Sequence, residues 1–172
     1  MTTTNNKFAL EVLVIILLGS RAEKLQLLNE PSTSDETRLA FKVDADAGVR
    51  EVAVRGAKSD KTRLAFKNDA SYFVRAAAVK GAKSDATRLA FKNDASCFVR
   101  AAAVKGAKSD ATRLEFINDP LAEVRIAAVR GLRSTTILKL SLQLEKEPWV
   151  RSAIQERMKV VGEAQTPQKS VA

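Results

Sequence analysis

The 172-residue chain contains no histidine and only one cysteine, Cys97. Without histidine it lacks the commonest general base and the commonest metal ligand together. With one cysteine it can form no intramolecular disulfide. Aromatic residues make up only 5% of the chain, with one tryptophan and one tyrosine. The apolar stretch "FALEVLVIILLG" from Phe8 to Gly19 is about 11 residues long, where roughly 20 are needed to span a bilayer. Also missing are a phosphate-cradling glycine loop, a nucleophile–histidine pair and zinc-ligand spacing. Catalysis would have to come from carboxylates and lysines alone. The expectation is therefore a protein that is not an enzyme and that carries no cofactor, no metal and no small-molecule substrate.

What the chain does have is 45% hydrophobic residues and 28% charged ones, a globular composition rich in alanine and valine. Small side chains of this kind favour closely packed helices. Lysine plus arginine outnumber aspartate plus glutamate by 29 to 20, giving +9 and a pI near 9.9. Such a surplus favours an acidic protein, nucleic acid or anionic lipid as partner. Residues 1–23 have two readings. As a helix, Phe8–Leu18 buries its apolar residues and caps the N-terminal end of the fold. As a signal h-region or anchor, it uses Lys7 before the run and Ser20 and Ala22 after it, although Glu11 interrupts the run. The capping helix is the working expectation, with a cytoplasmic location; export is the alternative. No membrane partner is expected.

The chain aligns on itself. "VREVAVRG" begins at Val49, "VRAAAVKG" at Val74 and again at Val99, and "VRIAAVRG" at Val124. The spacing is constant at about 25 residues, within the range of solenoid repeats. Gly56–Lys80 and Gly81–Lys105 differ only at Lys61/Ala86 and Tyr72/Cys97. Weaker copies flank them: "NEPSTSDETRLAF" at Asn29–Phe41, and "EKEPWVRSAIQERM" at Glu145–Met158, whose Val-Arg pair comes one residue late. Atypical end copies are expected of a repeat array, because an outer face must meet water.

Each copy predicts two short helical stretches. In "SDATRLAFKN", Ser84 or Asp85 caps the start, and Leu89 with Phe91 supply apolar anchors. In the second stretch, Asp94 or Ser96 caps, and Phe98, Val99, Ala102 and Ala103 form an apolar stripe at helical spacing. Gly106 stands where a helix C-terminus calls for positive φ. Alanine runs without strict alternation argue against strands. Neither helix can bury its apolar face alone, so stacked copies must share one core. The predicted fold is all-α, an α-solenoid over residues 24–160, with a disordered tail over 161–172.

"LAFKNDASCFVRAAAVKGAKSDATR" resembles the leucine-rich repeat variant family and, more broadly, the HEAT-like repeats: an apolar anchor, then Asp, then Val-Arg, then an alanine-rich helix. "NEPSTSDE" at Asn29–Glu36 is similar to the Asn-Pro-x-Thr-Pro linker of the variant repeats. The resemblance covers about Leu25 to Met158. It implies a right-handed superhelix of short helices, one of them 3₁₀ in places. A founding member carries an iron–sulfur cluster on clustered cysteines, which Cys97 alone cannot reproduce. Some HEAT-like solenoids are DNA glycosylases. No matching catalytic constellation stands here, and only their grip on the DNA backbone offers an analogy.

Charge is the remaining signal. Arg50, Arg75, Arg100, Arg125 and Arg151 repeat in register, as do Asp44, Asp69, Asp94 and Asp119. Each arginine is expected to pair with the aspartate six residues earlier or with its equivalent in the next copy, a structural ladder rather than a row of phosphate contacts. A second set remains: Lys58, Arg63, Lys67, Lys80, Lys83, Arg88, Lys92, Lys105, Lys108 and Arg113, with Arg130 and Arg133 beyond. In Gly56–Lys105 eleven basic residues face four acidic ones, leaving +7. These ten are the candidate binding surface. The reading is a non-catalytic scaffold that engages an acidic protein; the alternative is sequence-non-specific binding of nucleic-acid phosphates. Tyr72, Cys97 and Ala122 share one column, read as either an exposed reading position or a tolerant packing position. Trp149 is expected to pack in the core or cap.

Overall fold

In a computed structural model, residues 3–165 are described, with side chains for 9–162. All elements among the described residues are helical. The chain forms two compact units, Met1–Ala90 and Phe91–Ala172.

The first unit comprises α1 (Thr3–Leu18), α2 (Arg21–Asn29), α3 (Asp35–Ala40) continued by a 3₁₀ turn (Phe41–Val43), α4 (Ala47–Arg55), α5 (Asp60–Leu64), α6 (Tyr72–Lys80) and α7 (Asp85–Leu89). From α3 onward, five- or six-residue helices alternate with nine-residue ones. Serine starts each short helix: the Ser34, Ser59 and Ser84 hydroxyls accept from the backbone N–H groups of Thr37, Thr62 and Thr87. Such caps contribute about 1 kcal/mol each. Helix α4 packs on α6. The core is Val49, Ala53 and Val54 of α4 with Val74, Ala78 and Val79 of α6, closed by Phe41 and Phe66 from the short segments.

The second unit holds α8 (Cys97–Lys105), α9 (Asp110–Leu114), α10 (Ala122–Gly131), α11 (Thr135–Leu144) and α12 (Pro148–Gln165). It repeats the pattern with Phe91 and Phe116 buried beside Val99, Ala103, Val124 and Ala128. At its end, Val129, Leu132, Leu138, Val150 and Ile154 form one cluster. There α11 has ten residues where its counterpart α9 has five, and the packing becomes that of ordinary longer helices.

Several expectations are corrected. The N-terminal segment is helical but is not a buried cap: Leu10, Leu13, Val14, Leu17 and Leu18 of α1 are all exposed. Its run is apolar around the whole circumference, and its neighbour α2 is mostly polar (RAEKLQLLN), so one contact face leaves the others open. No helix among the described residues is long and apolar enough to cross a membrane. Phe98 and Phe73 point outward, not into the stripe with Val99. Alanine already fills the close helix contact, and a phenyl ring finds room only at the surface. Trp149 is exposed for the same reason of position, one residue ahead of the buried Val150. The glycines ending the α4, α6 and α8 copies all have negative φ: −79° at Gly56 and −83° at Gly81 and Gly106. At Gly56 and Gly81 the purpose is space, as shown below. Helix α12 takes in residues 161–165 of the expected tail; residues 166–172 lie outside the described part.

Two phenylalanines, Phe66 and Phe73, make the packing testable. Phe66→Ala removes a wholly buried ring and is expected to cost about 3–5 kcal/mol. Phe73→Ala removes a ring that is 59% exposed and is expected to cost under about 1 kcal/mol. Urea unfolding of both variants measures the difference.

Candidate functional site

The arginine ladder is built as the sequence indicates, with both partners used at once. Arg50 donates through Nε and Nη2 to the Asp69 carboxylate at 2.8 and 2.9 Å. Its Nη1 donates to the backbone carbonyl of Asp44, six residues earlier, at 2.8 Å. Arg100 repeats this with Asp119 at 2.7 and 2.9 Å and with the Asp94 carbonyl. Arg125 uses the longer Glu145 instead, at 2.8 and 3.1 Å, which spans the one-residue insertion at that copy. Arg75 and Arg151 donate to the carbonyls of Asp69 and Glu145. The same carboxylates order the next helix start: Asp69 and Asp119 accept from the N–H groups of Ser71 and Leu121. Burial would raise the Asp69 and Asp119 carboxyls, but the arginine bonds hold both below their usual range. The degenerate first copy substitutes Lys24 and Asp44, paired at 2.7 Å.

A second row of aspartates joins successive copies. Asp35 accepts from the N–H groups of Lys58 and Ser59 at 2.7 and 2.9 Å, and from the hydroxyls of Ser59 and Thr62 at 2.7 and 2.9 Å. Asp60 makes the same four bonds to Lys83, Ser84 and Thr87, one copy later. Asp110 accepts from the N–H groups of Arg133 and Ser134. Burial opposes the charge on Asp35 and Asp60, yet these donors bring both carboxyls down to about 2. The clue in the sequence is an Asp at the first position of one short helix and a Lys-Ser pair just ahead of the next.

A third row corrects the candidate surface. Arg63 and Arg88 are buried and Arg113 is largely so; none can serve as an exposed contact. Arg63 donates to the carbonyls of Val54 and Ala57, at the C-terminal end of α4. Arg88 donates to those of Ala82 and Ser84, and Arg113 to that of Ala107. Arg38 opens the series on the Leu28 carbonyl at 3.0 Å. The Leu28 and Val54 carbonyls lie in the last turn of a helix and those of Ala57, Ala82 and Ala107 just past one, where a cation meets the negative end of the dipole. Three of these guanidinium groups also lie against a glycine at the end of a long helix. A Cβ at Gly56 would stand 2.0 Å from Arg38 Nη1, one at Gly81 1.8 Å from Arg63 Nη1, and one at Gly131 2.0 Å from Arg113 Nε. These glycines exist to admit an arginine.

Of the other seven candidates, Lys92 forms a solvent-exposed ion pair with Glu115. Lys58, Lys67 and Lys80, with Lys83, are exposed in the first unit, and Lys105 and Lys108 in the second. Lys58 and Lys83 belong to the turns that the aspartates clamp, so rigid backbone carries both side chains. Tyr72 rests on Phe73, ring centroids 4.1 Å apart, at the start of α6, while Cys97 is half-buried at the start of α8. Between ladder positions lie open crevices at equivalent places: about 630 Å³ around Asp44, Arg50, Leu64 and Asn68, and about 520 Å³ around Asp94, Arg100, Leu114 and Asn118. A third, apolar groove of about 630 Å³ is lined by Leu114, Ile117, Ile137, Leu140 and Leu144. Its signal was the spacing of apolar residues in "TTILKLSLQL".

Two consequences can be measured. Asp60 has a folded pKa below its ordinary 3.8, so its charge stabilises the fold above that pH, and the contribution is lost as pH falls toward 2. Asp60→Asn should therefore be clearly less stable than the parent at pH 7, with the gap narrowing between about pH 4 and about pH 2; denaturant titrations across pH follow it. Gly81→Ala, harmless at an ordinary helix end with negative φ, should cost about 1–3 kcal/mol by forcing Arg63 off its carbonyls. A double-mutant cycle with Arg63→Ala should show the two changes to be non-additive.

Comparison with protein-family models, with curated proteins and with solved structures finds no match to this chain.

Proposed function

We propose that the chain is a non-catalytic repeat scaffold, a right-handed α-solenoid of the leucine-rich variant or HEAT-like kind, that docks an acidic protein through its exposed lysines. The observation that carries this reading is how charge is partitioned. Asp35, Asp60, Asp69, Asp110 and Asp119 are spent on backbone N–H groups, hydroxyls and arginines inside the fold. Lys58 and Lys83 stand at equivalent places of two copies in the first unit, and Lys108 at the matching place in the second, all with exposed side chains. Lysines presented in this way attract countercharge from outside, and carboxylates on a flexible acidic segment can meet them without a fixed spacing.

The test uses a labelled oligoglutamate peptide and, separately, a labelled random-sequence DNA duplex, each titrated with the full chain over a salt series. The expected outcome is peptide binding that Lys58→Glu/Lys83→Glu/Lys108→Glu weakens at least tenfold while leaving the melting temperature nearly unchanged. Preference for the duplex, with a log–log salt slope near one per phosphate contacted, would replace this reading with phosphate-backbone binding. Failure to bind either probe at low salt would overturn both.

A further inference from the structure

We infer that helix α1 of one copy of this chain seats in the apolar groove of α11 in a second copy. The inference rests on two surfaces that the lysine reading leaves unexplained. Helix α1 presents Leu10, Leu13, Val14 and Leu17, between 48% and 67% exposed, at positions i, i+3, i+4 and i+7, one face of a helix. The groove presents Ile137, Leu140, Ser141 and Leu144 of α11 at the same offsets, with Leu140 55% and Leu144 78% exposed. Leu114 and Ile117 also line it. One surface is a ridge and the other a trough, and both are eight residues long, or about 12 Å of helix. A helix laid in an apolar groove uses this i, i+3, i+4, i+7 set of anchors, whatever its other faces carry.

Charge agrees with the fit. Glu11 is the only ionisable side chain between Phe8 and Leu18, so a single complementary group suffices to orient the ridge. At the groove, Arg125 and Glu145 pair with each other; Glu147 at the rim is half-buried, and the charged rim residue with an exposed side chain is Lys146. It can meet Glu11 when α1 lies along α11. Exposed apolar faces of this kind are uncommon on a molecule without a partner. One contact covers two of them. Because ridge and groove are different surfaces, each copy offers one of each.

Sedimentation velocity of the full chain over a micromolar concentration series, with three further samples, tests this directly. Leu13→Glu/Leu17→Glu removes the ridge and leaves the groove. Leu140→Glu/Leu144→Glu removes the groove and leaves the ridge. All four side chains are exposed, so the folded state tolerates the changes, and circular dichroism melting verifies it. The parent is expected to associate as concentration rises, and each variant alone to weaken association at least tenfold. An equimolar mixture of the two variants should restore a 1:1 dimer, since it still contains one intact ridge and one intact groove. A parent that stays monomeric throughout overturns the inference. So does a mixture that fails to pair, or a groove variant that still self-associates through α1 alone. None of these outcomes bears on peptide or duplex binding, so the lysine reading stands or falls separately.

Discussion

A helix of five residues has no stability of its own, because the cost of nucleation is never recovered within so short a run. Helices α5 and α7 nevertheless form, each with its first turn clamped by a carboxylate from the preceding copy. Asp35 holds the turn before α5, and Asp60 the turn before α7, through two backbone N–H groups and two hydroxyls each. Of these donors the Ser59 and Ser84 N–H groups are ones that a helix start leaves orphaned, and the others belong to the turn and to the capping hydroxyls. The clamp thus converts a local deficit into a bond between copies. Within the first unit the arginine ladder and the core follow from it, since Phe66 and Asp69 are placed by the turn that α5 ends.

The clamp also sorts the charges, and the arginines divide by role. Arg50 and Arg100 take bidentate carboxylates, whereas Arg63 and Arg88 go to carbonyls in the interior. Burial disfavours the charged guanidinium of Arg63, and the charges of Asp60 and Asp35 work against this; its two Nη groups reach carbonyls while its Nε is buried without a partner. In these repeated interior slots lysine has no part. Its compact, strongly hydrated charge suits water better than a planar slot between backbone groups. The net positive charge of the central copies is therefore carried on their surface by lysine.

How much of this could be read in advance depended on whether a residue's role was local. The helix pattern, the serine caps and the Arg50-type ladder were legible, because Asp just ahead of a helix and Arg one turn inside it announce their own bond. Arg63 was not: an arginine near the end of a polar five-residue helix reads as surface, and only Gly81, in the next copy, reveals the slot it fills. The same glycines looked like left-handed caps because a glycine after a helix usually is one. Phe98 sat at core spacing, yet alanine at Ala102 and Ala103 closes the helix contact too tightly to admit a ring. Helix α1 was legible as a helix but not in its placement, since an apolar run carries no mark of which side finds a neighbour.

These bonds tie successive copies together and persist where the copies diverge, at Asp35, Asp110 and Arg125. Asp60 must find Lys83 and Ser84, Arg63 must find Gly81, and Arg50 must find Asp69. Each of these bonds has one half in one copy and the other half in the next. The side chains of Asp60, Ser84, Arg63, Arg50 and Asp69 and the space at Gly81 depend on residue identity in two copies at once, whereas Lys83 takes part through its backbone N–H alone. The two columns where Gly56–Lys80 and Gly81–Lys105 do differ are Lys61/Ala86 and Tyr72/Cys97. Lys61 and Ala86 are exposed on the short helix, and Tyr72 is exposed at the first residue of its helix. Neither column enters the aspartate clamp, the arginine ladder or the arginine–glycine slot. Variation thus falls outside these three rows, at the exposed Lys61, Ala86 and Tyr72 and the half-buried Cys97, and there copies of one repeat can come to differ in what they touch.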